Sequence, residues 1–141
     1  MSTVRGRRQP RRLAIAVAPV GAIILLAACT GPGAPEAAHV AEMFSQLAAT
    51  NPEQACGLLS EHARSSMEKE ADAPCTTALT DAGLPKPSAV RSVEVYATDG
   101  IVVLEGDVIF VARFGEGWRV TAAGCRPEPE DQPYDCGISG G

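Results

Sequence analysis

Residues 93–122, VEVYATDGIVVLEGDVIFVARFGEGWRVTA, decide the fold of this 141-residue chain. Apolar and polar residues alternate from Val93 to Ala97, which is the period of a half-buried β-strand. Turns with glycine then recur every few residues, so neighbouring strands are expected to pair antiparallel. These turns are Thr98-Asp99-Gly100, Glu105-Gly106-Asp107 and Gly115-Glu116-Gly117. The stretch predicts a four-stranded antiparallel meander whose last strand turns Trp118, Val120 and Ala122 inward.

The third predicted strand, which ends at Phe114, is apolar on both faces. Ile109 and Val111 point to the opposite side from Val108 and Phe110, because successive side chains alternate along a strand. Strands of this kind are buried on both sides or line a pocket. We therefore expect a sheet that is either curved around a pocket or covered on both faces.

The residues before this sheet have helical periodicity. After Pro35, apolar residues recur three and four positions apart, and Asn51 and Ser60 are placed to cap two further helices. One more turn is expected between Asp72 and Leu79, followed by a loop from Thr80 to Ser88. These elements predict an α+β domain, with N-terminal helices packed on one face of a curved four-stranded antiparallel meander.

The first 28 residues differ from the rest in charge. They contain five arginines and no acidic residue, which leaves 7 basic and 17 acidic residues, a net charge of −10, in residues 29–141. This balance argues against nucleic-acid binding, because phosphate contacts need an excess of lysine and arginine. An uncharged apolar segment, residues 13–28, follows the arginines and is too short to span a bilayer as a helix. A basic head before such a segment is typical of a secretory signal peptide.

The end of this segment, Leu26-Ala27-Ala28-Cys29, resembles the lipobox of bacterial lipoproteins. The resemblance implies that the Cys29 thiol receives a diacylglyceryl group and that cleavage before it makes Cys29 the lipidated first residue. Two or more acyl chains hold a protein firmly to a bilayer, so we expect the mature form on the outer face of the cell membrane. A plain signal peptide or membrane anchor with an incidental cysteine is the alternative. Export by the general secretory or the twin-arginine route is left open.

The predicted domain boundaries follow from the lipobox. Residues 1–28 are the lipoprotein signal peptide, residues 29–35 a lipidated tether with the composition of a linker, and residues 36–141 a single extracytoplasmic domain. The net charge of −10 opposes a domain that lies flat on anionic lipid.

Four cysteines remain after Cys29, and an even number in an exported chain predicts two disulfides. Three connectivities exist. We favour Cys56 with Cys75 and Cys125 with Cys136, since each pair encloses one local piece of structure. No C-x-x-C spacing occurs and the two histidines fall in no ligand pattern, so neither a metal site nor a cofactor is predicted.

Few residues qualify for catalysis. The sequence from Gly137 to Gly141 matches the nucleophile-elbow pattern, but no acid or histidine follows it, and a flexible tail is expected instead. His39 and His62 are expected on exposed helix surfaces. Glu94 and Glu105 stay open as inward acids that could act as a base.

Other charged and aromatic residues are assigned structural roles. Asp99 and Asp107 are predicted turn residues, and Trp118 and Tyr96 are predicted core aromatics. An acidic cluster between the tail prolines lacks the spacing of a calcium loop and predicts a solvated loop. The cluster consists of Glu128, Glu130 and Asp131.

Several segments combine into a further pattern: residues 55–60, Cys75, residues 92–96, residues 118–125 and residues 133–136. Together they resemble a family of small actinobacterial lipoproteins without an established activity. The resemblance implies a fold similar to nuclear transport factor two-like and cystatin-like domains, which include enzymes and non-catalytic domains. We expect a non-catalytic binding or accessory domain for an envelope protein or a small apolar ligand. The alternative is a small cone-fold enzyme, of isomerase or dehydratase type, with an acid or His base in its pocket.

Overall fold

The computed structural model describes residues 31–129 and 132–140, which form an α+β fold. Four helices come first: α1 Ala34–Thr50, α2 Pro52–Leu58, α3 Glu61–Ala71 and α4 Cys75–Asp81. Five strands follow: β1 Val90–Tyr96, β2 Asp99–Leu104, β3 Asp107–Phe114, β4 Gly117–Arg126 and β5 Asp135–Ser139. Each strand pairs antiparallel with its neighbour in sequence, and the sheet is open. None of the described helices has the length and apolar character needed to cross a membrane.

The predicted caps separate the helices. Asn51 caps α2 and Ser60 caps α3, because each side-chain oxygen accepts the backbone N–H three residues on, at 3.3 and 3.1 Å. Between α2 and α3, Leu59 forms a parallel bridge with Val120 of β4, and the Ser60 N–H donates to the Val120 carbonyl oxygen at 2.8 Å. The break between the two helices therefore ties them to the edge of β4.

The space between the helices and the sheet is filled with apolar side chains. The largest fully buried ones are Phe44 from α1 and Val102, Ile109, Val111, Val120 and Ile138 from the sheet. Three buried residues of the described part are polar or charged: Ser45, Ser60 and Asp107. Asp107 is therefore the one ionisable residue among the buried residues that the structure describes.

The outer face of β3 is covered by the C-terminal tail. Val108 and Cys125 are buried there but lie outside the main core. Tyr134 packs edge-on against Phe110, with the ring centroids 5.1 Å apart. Along this part of β3, the sheet is covered on both faces, which explains the two apolar faces of the strand.

The sheet has five strands rather than the four predicted. Asp135–Ser139 forms β5, so Ser139 of the nucleophile-elbow pattern lies on a strand and not in a flexible tail. β5 pairs with β4 in the register that places Cys136 opposite Cys125. The disulfide between these two residues holds the tail against β4 and offsets the low strand preference of Gly137.

Two smaller predictions were wrong in detail. Ala97 has φ 56° and lies in the turn after β1, so it does not continue the strand. The register of β4 against β3 shifts at a bulge, where Gly124 has φ 67°. An earlier shift, between the Val111–Val120 and Phe110–Ala122 pairs, adds one residue to β4 after Val120. Beyond it Ala123 is fully buried, whereas the predicted inward residue Ala122 is only half-buried.

The first described residues lie against the sheet. α1 begins at Ala34, and the two glycines that precede it, Gly31 and Gly33, lie against strands. A Cβ on Gly31 would lie 3.2 Å from the carbonyl oxygen of Val95, and a Cβ on Gly33 would lie 3.0 Å from the Trp118 ring. Side chains larger than hydrogen would therefore push this segment away from the strands.

Candidate functional site

A cleft of about 790 Å³ lies between the start of α3 and the β3–β4 turn. It exists because β4 extends beyond the end of β5, where Leu59 bridges to β4 in place of a further strand. Glu61, His62 and Arg64 line the cleft from α3, and Phe114 and Arg119 line it from the sheet side. The cleft combines an exposed aromatic ring with charged groups, which suits a ligand with both apolar and polar parts.

The charged groups of the cleft are largely paired within the chain. Arg119 donates to the carbonyl oxygen of Gly57 at 2.9 Å, and its guanidinium lies 3.8 Å from the Glu116 carboxylate. Arg64 and Glu68 form an ion pair at 3.2 Å on α3. These contacts hold the guanidinium groups in place without burying them, so both keep donors for a ligand.

His62 is exposed on α3, as predicted, and lines the cleft. Within residues 31–129 and 132–140, no hydrogen bond joins its ring to a carboxylate. His39 is exposed on α1 and lies outside the cleft. The structure therefore does not assemble either histidine into an acid–base pair of the kind that general catalysis uses.

The two glutamates considered as inward acids are both exposed. Glu94 accepts a hydrogen bond from the Tyr96 hydroxyl on β1. Glu105, in the β2–β3 turn, pairs with Arg91 at 2.6 Å. Neither lies in the cleft or in the core, so the cone-fold enzyme lacks these two candidate bases.

Asp107 is more than the turn residue that the sequence predicts. It is 7% exposed, and its carboxylate accepts the Cys125 N–H at 3.1 Å and further backbone N–H groups of Val108 and Gly124. Burial raises the pKa of the Asp107 carboxyl above 3.8, and these hydrogen bonds partly oppose the rise. The carboxylate satisfies backbone donors at the β4 bulge, which is a structural role. No local pattern indicates this role, since the main partner lies 18 residues away.

Of the two predicted core aromatics, one is correctly placed. Trp118 is 8% exposed, with the Arg113 guanidinium 6.0 Å from its ring centroid. Tyr96 is 59% exposed, so its assignment to the core was wrong. The β1 alternation that turns Val93 and Val95 inward places Tyr96 on the other face, and this signal was present in the sequence. The hydrogen bond to Glu94 and the charge of that carboxylate raise the pKa of Tyr96.

Both predicted disulfides are present. Cys56–Cys75 joins α2 to α4 in the core, with the Cα atoms 6.2 Å apart, and Cys125–Cys136 joins β4 to β5. Asp99 is exposed at the first position of β2, beside the predicted turn, and Glu128 is exposed in the tail. Across the described ranges, no group of three or more His, Cys, Asp or Glu residues could hold a metal ion.

Cys29, Glu130 and Asp131 lie outside the described residues, as does Gly141. Comparisons with protein-family models, with curated proteins and with solved structures found no match. The function is therefore inferred from the chain's own residues.

Proposed function

We propose that this chain is a lipoprotein of the bacterial cell envelope, anchored through acylated Cys29 to the outer face of the cell membrane. The lipobox-like segment before Cys29 carries the proposal. The disulfides support it, because all four cysteines of the described part are paired and stable disulfides are typical of exported proteins. Cys29 is the one cysteine of the five that remains, and it takes no part in those bonds.

We also propose that the folded part is a non-catalytic binding or accessory domain. Three observations support this over the cone-fold enzyme: Asp107 is the one ionisable residue among the buried residues of the described part, its carboxylate is engaged by backbone N–H groups, and neither histidine is hydrogen-bonded to a carboxylate there. The likeness to small actinobacterial lipoproteins and to nuclear transport factor two-like domains belongs to the same proposal.

The cleft between α3 and the β3–β4 turn is the surface on which we place binding. Phe114 is 48% exposed at its rim, and an exposed aromatic beside guanidinium groups is a combination enriched at binding surfaces. Arg119 is preorganised by the Gly57 carbonyl oxygen, so ordering it costs a ligand less free energy.

The anchor is tested by the Cys29→Ser variant, with Thr30→Ser as the matched control. We expect the wild type and Thr30→Ser to incorporate an alkyne-labelled fatty acid and to sediment with membranes. Cys29→Ser should lose the label and either leave the membrane fraction or stay as an uncleaved precursor. A Cys29→Ser chain that fractionates and labels like the wild type contradicts the proposal.

The cleft is tested by photo-crosslinking on intact cells. A photoreactive amino acid is placed at Glu61, which lines the cleft, or at Glu70, which is also exposed on α3 but lies outside it. Discrete adducts from position 61 and none from position 70 support binding in the cleft. Equal adducts from both positions, or none from either, contradict it.

A further inference from the structure

The chain enters the fold at one end of the sheet. Gly31 lies against Val95, next to the last residue of β1, and Gly33 lies against Trp118, next to the first residue of β4. The two turns at this end of the sheet are the β1–β2 turn and the β3–β4 turn. We call residues 96–99 and 114–117 the entry end.

The entry end carries two exposed aromatic side chains. Tyr96 is 59% exposed and Phe114 is 48% exposed, and they are the most exposed large hydrophobic residues of the described part. Two strand spacings and two residues of strand rise separate them, which places their Cα atoms roughly 12 Å apart. The Arg113 N–H donates to the Thr98 carbonyl oxygen at 2.7 Å and joins the two turns. The aromatic pair is therefore presented by a single connected surface.

Cys29 precedes Gly31 by two residues, so their Cα atoms are at most about 7 Å apart. Acyl chains on Cys29 that insert into the bilayer would therefore hold the entry end close to the bilayer surface. Tyrosine is enriched at the level of the lipid headgroups, where an apolar ring and a polar hydroxyl are both satisfied. We propose that the entry end rests on the bilayer, with Tyr96 and Phe114 at headgroup level, so that the rim of the cleft formed by Phe114 lies at the membrane surface. This inference rests on the proposed acylation of Cys29.

The charge distribution favours this orientation. Asp99 and Glu116 are the acids of the entry end, and the guanidinium groups of Arg113 and Arg119 lie on the adjoining strand residues. Glu94 adds one carboxylate, which accepts a hydrogen bond from the Tyr96 hydroxyl. Counted together, these groups give the entry end a net charge of about −1 in a body of net charge −10, so anionic lipid repels this surface only weakly.

The test is hydrogen–deuterium exchange of the mature acylated protein, which begins at Cys29, in vesicles of phosphatidylcholine and phosphatidylglycerol, compared with Cys29→Ser in solution. We expect slower exchange on vesicles at residues 96–99 and 114–117. The β2–β3 turn at residues 105–106, at the other end of the sheet, should exchange at the same rate in both samples. It serves as the internal control.

Variants separate the aromatic contacts from the anchor. The double variant Tyr96→Ser/Phe114→Ser should keep its acyl chains and vesicle binding but lose the slowed exchange at the entry end. Tyr134→Ser removes the remaining exposed aromatic, which is 40% exposed and packs on Phe110, and should leave the slowed exchange unchanged. Circular dichroism checks that both variants are folded.

The possible failures are distinguishable by intact mass. A chain without acyl mass overturns the proposed function and this orientation together. An acylated, vesicle-bound chain whose entry end exchanges as fast as in solution overturns the orientation alone, and so does slowed exchange at residues 105–106. Slowed exchange that appears without vesicles and grows with protein concentration indicates a second copy as the occupant and also overturns it.

Discussion

Removing the Cys56–Cys75 disulfide should destabilise the fold more than removing Cys125–Cys136. The variants replace both cysteines of a pair with alanine, so that no unpaired thiol remains. The sequence separations are 19 and 11 residues, and in the chain-entropy model each loop is worth about 3 kcal/mol. Loop closure alone therefore predicts nearly equal costs for the two pairs.

Burial makes the difference between them. Cys56 and Cys75 are 4% and 2% exposed and belong to the core cluster, whereas Cys136 is only half-buried. Replacing two core sulfurs with hydrogen leaves a gap that costs roughly another 1–2 kcal/mol. We expect losses of about 4–5 kcal/mol for the first pair and about 3 kcal/mol for the second.

Urea unfolding at 25 °C, followed by circular dichroism, measures both losses. The slope of free energy against urea should rise in both variants, because an unfolded chain without the cross-link exposes more surface. Equal losses, or a larger loss for Cys125–Cys136, would refute the assignment of extra stability to the buried sulfurs. An unchanged slope in both variants would refute the chain-entropy contribution.

Two further predictions concern the bulge in β4. Gly124→Ala should lower the free energy of unfolding more than Gly83→Ala does. Gly83 and Gly124 have a similar positive φ, and that backbone strain alone is expected to cost about 1 kcal/mol. The new Cβ at position 124 would also lie 2.8 Å from Leu84 Cδ2, whereas no atom lies close to a Cβ at position 83. Equal urea midpoints for the two variants would show that the Leu84 contact is immaterial. For Asp107→Asn, burial raises the folded-state pKa of Asp107 above 3.8, so the stability that the protonated acid contributes is lost as pH rises through that pKa. The asparagine of the variant does not titrate, so the variant does not lose this stability. Its unfolding free energy, relative to that of the wild type, should therefore increase from about pH 4 upward. In urea titrations, a difference that is constant or falls with pH would contradict this.

The parts of the fold that local patterns specify were predictable from the sequence. Asn51 and Ser60 cap helices at the predicted positions, and β1 to β4 appear in the predicted order. Each depends on residues within a few positions of one another, either through a side-chain oxygen and a nearby N–H or through apolar alternation. Cysteine count and local spacing likewise predicted the two disulfides.

The features that were missed depend on distant partners. β5 contains Gly137 and is recognisable only through its pairing with β4, across the Cys125–Cys136 bond. The buried Asp107 carboxylate accepts hydrogen bonds from the backbone N–H groups of Gly124 and Cys125, which lie 17 and 18 residues further along the chain. The cleft exists because Leu59 occupies the β4 edge beyond β5, which no local pattern indicates. The same holds for the cleft residues, since Phe114 and Arg119 meet α3 only in the folded chain.

The order of elements has a consequence for the timing of folding. Every strand pairs with its neighbour in sequence, so the sheet can form by successive local hairpins, which close fast. The helices come first in the chain, yet the apolar side chains of α1 need the sheet to cover them. During synthesis from the N-terminus, the helices emerge with no partner, and the Leu59–Val120 bridge must wait for 61 further residues. The domain is therefore expected to stay open until nearly its whole length is available, a state compatible with passage through a membrane as an unfolded chain.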